Sequence, residues 1–128
     1  VKPKTSGPKG TRTALWLGPD EWLIIDSIKN PMDDAAKAKV LNSSVDVSHR
    51  NTAIIVAGTA AEATLSSGCP QNLSLAAFPV GACSRTILGK AEIVILRTDR
   101  QVFRVECWRS FSDYVMTYLS EAARGAVV

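Results

Sequence analysis

The sequence is poor in the residues that cross-link a fold, hold a metal ion or catalyse. Its 128 residues include three cysteines, Cys69, Cys83 and Cys107, with no CxxC pair, and a single histidine, His49. A disulfide framework uses an even number of cysteines and structural zinc needs about four convergent ligands, so we expect three reduced thiols and no metal site. None of the eight glycines forms a nucleotide-binding GxGxxG or GxxxxGK motif. The apolar runs are shorter than the roughly 18 residues of a membrane span, which predicts a soluble, cytoplasmic protein without a membrane partner.

What is present has the composition of one globular domain, with 46% hydrophobic and 21% charged residues. The net charge is +3, and four positive charges lie among the first twelve residues without any acid: Lys2, Lys4, Lys9 and Arg12. The remaining residues are nearly balanced in charge, so no nucleic-acid partner is expected. We predict a basic flexible arm over residues 1–12 and a single domain over 13–128. The chain begins with Val, and we expect it to lack an N-terminal segment of a longer polypeptide.

Short β-branched and apolar runs separated by turn residues predict an antiparallel arrangement of strands. Gly18-Pro19-Asp20-Glu21 separates the first two runs in the manner of a hairpin loop. The predicted strands are residues 13–17, 22–26, 45–47, 52–57, 82–88, 91–97 and 102–107, where 45–47 and 52–57 form either a strand pair or one interrupted strand.

Three helices are predicted from their end signals. Asn30-Pro31 with acids in the first turn begins a helix that runs to Leu41, and Thr59 with Glu62 forms a capping box for a second helix. Ser110 with Asp113 begins the third helix, whose apolar residues recur at helical spacing. Residues 72–81 are predicted to be a packed connection. The fold class is therefore α+β, an antiparallel sheet with helices on one face, of ferredoxin-like character.

Catalysis by this chain is not favoured. A Ser-His-Asp or Cys-His mechanism would need His49, and Asp46 and Ser48 lie too close to it in sequence for a standard relay. A nucleophile, Cys83, Ser84 or Ser110, would have to approach His49 from elsewhere in the fold. We interpret His49 as a hydrogen-bonding loop residue and assign no catalytic, cofactor-binding or metal-binding residue.

The tryptophans are the more informative side chains. Trp16 and Trp22 lie across the first predicted hairpin, and their pattern fits a core or an interface equally well. Trp108-Arg109 lies where the last strand meets the last helix, and Arg109 is not expected to be fully buried. Trp and Arg anchor many protein interfaces because each buries a large area and keeps a polar group.

Four segments, taken together and in this order, resemble the gamma subunit family of heterotetrameric sarcosine oxidase. They are LWLGPDEWLI at 15–24, VDVSHRNTAI at 45–54, NLSLAAFPVGACSRTILGKAEIV at 72–94 and FRVECWRSFSDYV at 103–115. The resemblance extends over nearly all of residues 14–123. It implies a fold similar to part of the folate-binding aminomethyltransferase, or glycine-cleavage T-protein, architecture.

The resemblance also implies membership of a complex that oxidatively demethylates sarcosine to glycine, with hydrogen peroxide and 5,10-methylenetetrahydrofolate as further products. It implies that FAD, FMN, NAD and tetrahydrofolate belong to the large alpha and beta subunits and zinc to the delta subunit. The gamma subunit would hold none of them, so this chain alone is expected to be inactive.

We therefore expect an accessory subunit whose partners are the alpha, beta and delta subunits, chiefly alpha. The expected interface residues are His49, Arg50, Arg85, Trp108, Arg109 and Ser110. The alternative is a small folate-binding or aminomethyltransferase-like protein, in which Asp46 would bind the pterin and Arg50 or Arg85 the glutamate tail. Nucleic-acid binding through the basic arm is a third, weaker hypothesis.

Overall fold

A computed structural model describes residues 6–39 and 42–126 and begins with a three-stranded antiparallel sheet. Its strands, in spatial order, are β1 (Ser6–Lys9), β2 (Arg12–Gly18) and β3 (Glu21–Asp26). The predicted hairpin is confirmed, because Leu15 lies opposite Leu23 in β2 and β3.

The start of the fold differs from the prediction. Residues 6–9 of the predicted arm form β1, which pairs with β2 through a tight turn at Gly10, whose φ is +64°. This strand is held by backbone pairing to its neighbour rather than by an apolar pattern of its own, so composition did not indicate it. Residues 1–5 of the predicted arm lie outside the described residues.

A four-stranded antiparallel sheet forms the centre of the molecule. It consists of β4 (Asn51–Ala57), β5 (Cys83–Leu88), β6 (Ala91–Asp99) and β7 (Val102–Trp108), in the spatial order β4-β7-β6-β5. The four corresponding predicted strands are confirmed within two residues. The predicted strand at 45–47 is wrong, because the carboxylate of Asp46 accepts a hydrogen bond from the Ser48 N–H and the chain turns there.

The helices are α1 (Pro31–Lys37), α2 (Ala61–Ser66) and α3 (Ser112–Ala126). The Asn30 side chain accepts a hydrogen bond from the Met32 N–H as predicted, although α1 ends at Lys37 rather than Leu41. Residues 40 and 41 lie outside the described part of the chain. The fold also lacks, among its described helices, one long and apolar enough to cross a membrane.

Both predicted capping boxes are wrong. The N-cap of α2 is Ala60, which offers no side-chain hydrogen bond, and Glu62 is used in an ion pair with Arg97 instead. At α3 a 3₁₀ turn over Arg109–Phe111 comes first, and the Ser112 hydroxyl donates to the Arg109 carbonyl. Both helices nevertheless form in the predicted regions, α3 where the apolar periodicity predicts it, because the buried face and not the cap determines their position.

Two cores lie on opposite faces of the four-stranded sheet. On one face, α2, α3 and the 72–81 connection cover the larger core, which includes Leu65, Phe103 and Val115. On the other face the three-stranded sheet packs Leu15 against Cys83 and Leu96. The α+β class, with antiparallel strands and helices on one face of the central sheet, is confirmed, and the strands divide between two sheets.

Arg97 is the largest fully buried side chain and organises the connection over 72–81. Its guanidinium donates to the carbonyl oxygens of Leu73, Phe78 and Arg100 and to the carboxylate of Glu62. It also lies 4.6 Å from the centre of the Phe103 ring. A buried charge is tolerated because every N–H group of the guanidinium has an acceptor.

Candidate interaction surface

Five of the six predicted interface residues lie together at one end of the four-stranded sheet. The turn over 48–50 leads into β4, β7 ends at Trp108, and Asn51 lies opposite Trp108 in the β4–β7 register. The backbone N–H of Arg109 donates to the carbonyl of Arg50, which extends the ladder by one further pair. Phe111 lies next to these five residues. We call the six together the end surface: His49, Arg50, Trp108, Arg109, Ser110 and Phe111.

The end surface combines exposed aromatic area with positive charge. Trp108 is 54% exposed and contacts Phe111 in a tilted arrangement with ring centres 6.3 Å apart. The guanidinium groups of Arg50 and Arg109 form no ion pair with any of the described residues. An exposed indole beside unpaired guanidinium groups is the composition of a protein-binding surface, because both groups gain from burial against a complementary partner.

Asp46 lies just before the turn that leads into the end surface. The pKa of Asp46 is held below its ordinary value, first by hydrogen bonds from Ser48 and to a smaller extent by the charge of His49. Asp46 therefore stays ionised at neutral pH and offsets part of the positive charge near His49. Arg50 and Arg109 remain available to an acidic partner.

The sixth predicted residue, Arg85, lies elsewhere. It is on β5, the opposite edge of the sheet from β4, so three inter-strand spacings, or roughly 14 Å, separate the two edges. Arg85 forms ion pairs with Glu21 at the start of β3 and with Glu92 on β6. The hydrogen bond from Arg85 holds the pKa of Glu21 below its usual value. The structure thus gives Arg85 the role of tying the two sheets together and does not bring it to the end surface.

The ion pairs of Arg85 also bear on the folate-binding hypothesis. Because Arg85 is already paired with Glu21 and Glu92, Arg50 is the predicted arginine that has no ion pair among the described residues and could accompany Asp46. Two surface cavities, of about 340 Å³ beside Tyr114 and Tyr118 and about 160 Å³ beside Arg97, include none of these residues in their lining. The geometry therefore favours the interface over the ligand site.

Two of the three candidate nucleophiles, Cys83 and Ser84, are not presented to His49, whereas Ser110 lies with His49 in the end surface. Cys83 is fully buried between the two sheets, and burial raises the pKa of its thiol. Ser84 donates a hydrogen bond to Gln71 on the far side of the sheet from β4. Among the described residues there is also no group of three His, Cys, Asp or Glu side chains that could hold a metal ion.

A second aromatic feature lies on the outer face of the three-stranded sheet. Trp16 and Trp22 face each other in the β2–β3 register and stack with ring centres 5.2 Å apart and 12° between their planes. The Trp16 indole N–H donates to the Gly18 carbonyl. Trp22 is 45% exposed, so the stacked pair is only partly buried. The structure therefore does not choose between the core and the interface interpretations of the two tryptophans.

These observations define a class: a small antiparallel α+β protein with an exposed aromatic and cationic surface at one end of its central sheet. The comparison with known families is specific within that class, since the profile of the sarcosine oxidase, gamma subunit family matches residues 5–125. The chain belongs to this family.

Individual relatives agree with the family match. The chain is 26% identical over 122 residues to sarcosine oxidase subunit gamma of Corynebacterium sp. strain U-96, covering 93% of this chain and 60% of that one. It is 29% identical over 111 residues to the subunit of Corynebacterium sp. strain P-1, covering 84% of this chain and 55% of that one. The chain thus spans slightly less than two thirds of the length of these relatives.

A solved structure shares the fold. A chain of heterotetrameric sarcosine oxidase from Corynebacterium sp. U-96, in complex with pyrrole 2-carboxylate, superposes with a TM-score of 0.88 at 24% identity. The match covers 99% of this chain and 67% of that one. The α+β arrangement described above is therefore one that is found in an experimental structure.

Proposed function

We propose that the chain is a non-catalytic accessory subunit of a heterotetrameric sarcosine oxidase and that it docks on the partner subunits through the end surface. The observation that carries the proposal is the convergence of two predicted interface segments, 49–50 and 108–110, at one end of the sheet, in a chain of the gamma subunit family. Two unpaired arginines and an exposed tryptophan supply the attraction, since such residues contribute most of the free energy of many interfaces.

In this proposal the complex oxidatively demethylates sarcosine, giving glycine, hydrogen peroxide and 5,10-methylenetetrahydrofolate. The flavins, NAD and tetrahydrofolate are held by the alpha and beta subunits, zinc by the delta subunit, and the principal contact of this chain is alpha. Support comes from the family match and from the position of Cys83 and Ser84 on β5, at the opposite edge of the sheet from the strand that follows His49.

Co-expression tests the proposal directly. A tagged copy of this chain is expressed with the alpha, beta and delta subunits of its source, and the captured material is assayed for flavin absorbance and for peroxide formed from sarcosine. We expect the captured complex to be yellow and active and the chain purified alone to be colourless and inactive. Turnover by the chain alone, or failure to capture the other subunits, would contradict the proposal.

A further inference from the structure

The strand β4 forms an edge of the four-stranded sheet with an unusual sequence for that position. Its residues, NTAIIVA, include no charge and no proline, and within the described residues β4 pairs with β7 alone. Natural edge strands usually carry a charge, a proline, a bulge or a cover that prevents pairing with another chain. The edge strand β5 has such a charge in Arg85, and the edge strand β1 has Pro8.

The register identifies which backbone groups of β4 point outward. Arg109 donates to Arg50 and Gly58 donates to Gln101, and both pairs belong to the register that places Ile54 opposite Val105. Hydrogen-bonded and non-hydrogen-bonded pairs alternate along an antiparallel ladder, so the even-numbered residues bond to β7. The N–H and C=O groups of Ala53 and Ile55 therefore face the open edge.

The side chains along this edge are apolar on both faces. Ile55 is 58% exposed on the face that Trp108 shares, and Ala53 is exposed beside it. Ile54 and Val56 are partly buried against the main core on the other face. A strand laid along β4 would thus gain main-chain hydrogen bonds together with apolar contacts on both of its faces.

Charge decides between two occupants of this edge. Arg50 immediately precedes β4, with Arg109 beside it, and neither has an ion-pair partner among the described residues. A second copy paired antiparallel about Ile54 would place its residues 58–60, which are Gly, Thr and Ala, near Arg50 and would supply no acid. A segment of a different chain with an acidic residue at that end fits the edge better.

We propose that β4 binds an extended segment of a partner subunit by β-strand addition, the segment being apolar in its middle and acidic at the end that meets Arg50 and Arg109. The proposal rests on the proposed function for the source of the partner, and it extends the contact from the end surface along the whole edge of the sheet.

Amide hydrogen exchange of the chain, alone and in the captured complex, tests the pairing. In the isolated chain the outward N–H groups of Ala53 and Ile55 exchange rapidly, and in the complex they slow by about a hundredfold or more. Rapid exchange at both residues in an intact complex overturns strand addition and leaves the proposed function standing. Slow exchange in the isolated chain that depends on concentration assigns the edge to a second copy instead. Failure to capture any complex overturns both proposals.

Proline substitution provides a second readout. Ile55→Pro removes an outward N–H without removing a bond to β7, because edge strands tolerate proline where the N–H faces solvent. The variant is expected to lower the affinity for the other subunits about tenfold or more, whereas Ile55→Ala, which keeps the N–H, lowers it less. Ala53→Pro repeats the test if Ile55→Pro does not fold. Equal losses for the proline and alanine variants would show that the side chain, and not backbone pairing, makes the contact.

Discussion

Arg50 and Arg109 are joined through their backbones, the N–H of Arg109 donating to the carbonyl of Arg50, while both guanidinium groups are left exposed. The bond places the turn before β4 beside the residues that follow β7. Since the contact uses no side-chain atom, either arginine can be replaced without removing the bond that builds the end surface. Binding and folding can therefore be tested separately at these positions.

Arg97 is predicted to be a main source of stability. Replacing it with Met leaves the carbonyl oxygens of Leu73 and Phe78 without their buried donor, so we expect the free energy of unfolding to fall by about 3 kcal/mol. Urea denaturation followed by tryptophan fluorescence measures this change. Arg100→Ala is the matched control, because Arg100 accepts through its carbonyl, and it should cost about 0.5 kcal/mol or less. A similar small loss for Arg97→Met would refute the role assigned to Arg97.

Gly89 in the β5–β6 turn is predicted to be required for two reasons. Its φ is +57°, and a Cβ at this position would clash with the Tyr114 hydroxyl oxygen. Gly10 has a similar φ of +64° with nothing within 4 Å of an added Cβ. We expect Gly10→Ala to lower the free energy of unfolding by about 1 kcal/mol and Gly89→Ala by about 2 kcal/mol, the difference reporting the crowding. If thermal or urea unfolding showed equal losses of unfolding free energy for the two variants, Tyr114 would be shown to move aside without destabilising the fold.

Asp26 is predicted to make the free energy of unfolding depend on pH in the acidic range. Its carboxylate accepts from the N–H groups of Ile28 and Lys29, the Thr11 hydroxyl and Arg12. These contacts, the Ile28 N–H foremost, hold its pKa well below the ordinary value of 3.8. Because the pKa of Asp26 is lower in the folded chain, its ionised carboxylate stabilises the fold at pH values above the ordinary 3.8. This stabilisation is lost as the pH falls toward the folded-state pKa.

The test compares Asp26→Asn with the original chain in urea across pH. The variant should be less stable at neutral pH, and the difference in unfolding free energy between the two proteins should shrink steadily below about pH 4. Parallel stability curves down to about pH 2 would contradict the assignment of this carboxylate as the acid-sensitive group.

Much of the fold is predictable because local patterns and tertiary packing agree. The β2–β3 hairpin follows from alternating apolar residues around a four-residue turn, and α3 follows from the spacing of buried residues such as Val115 and Leu119. The strand at Ser6–Lys9 is not predictable in this way, since backbone pairing holds it. The capping box at Thr59 is also misleading, because Glu62 meets the buried Arg97 and no sequence rule links residues 35 positions apart.

Only part of the end surface can be predicted from the sequence. Residue type indicates that Trp108 and Arg109 belong to an interface, but the pairing of β4 with β7 is what brings His49 and Arg50 to them. Arg85 has an equally suggestive residue type and lies at the other edge, because the strand order separates it. The open edge of β4 cannot be predicted from the seven residues of the strand, because the topology of the sheet decides which strands lie at its edges.

The central claim is that the end surface docks the chain on its partner subunits. Its most direct test is the affinity of the chain for the alpha, beta and delta subunits, measured for Trp108→Ala, Arg109→Ala and the double variant. Truncation of such anchors commonly costs about 2 kcal/mol or more, so each variant should bind at least about tenfold more weakly. Met116→Ala and Arg124→Ala replace an exposed apolar residue and an exposed arginine on α3 and serve as matched controls.

All four single variants should unfold at similar temperatures, because the Arg109–Arg50 bond uses backbone atoms only. The account predicts that the affinity falls for the Trp108 and Arg109 variants and is unchanged for the controls. Unchanged affinity of the folded double variant, or an equal loss at Met116 and Arg124, would contradict it.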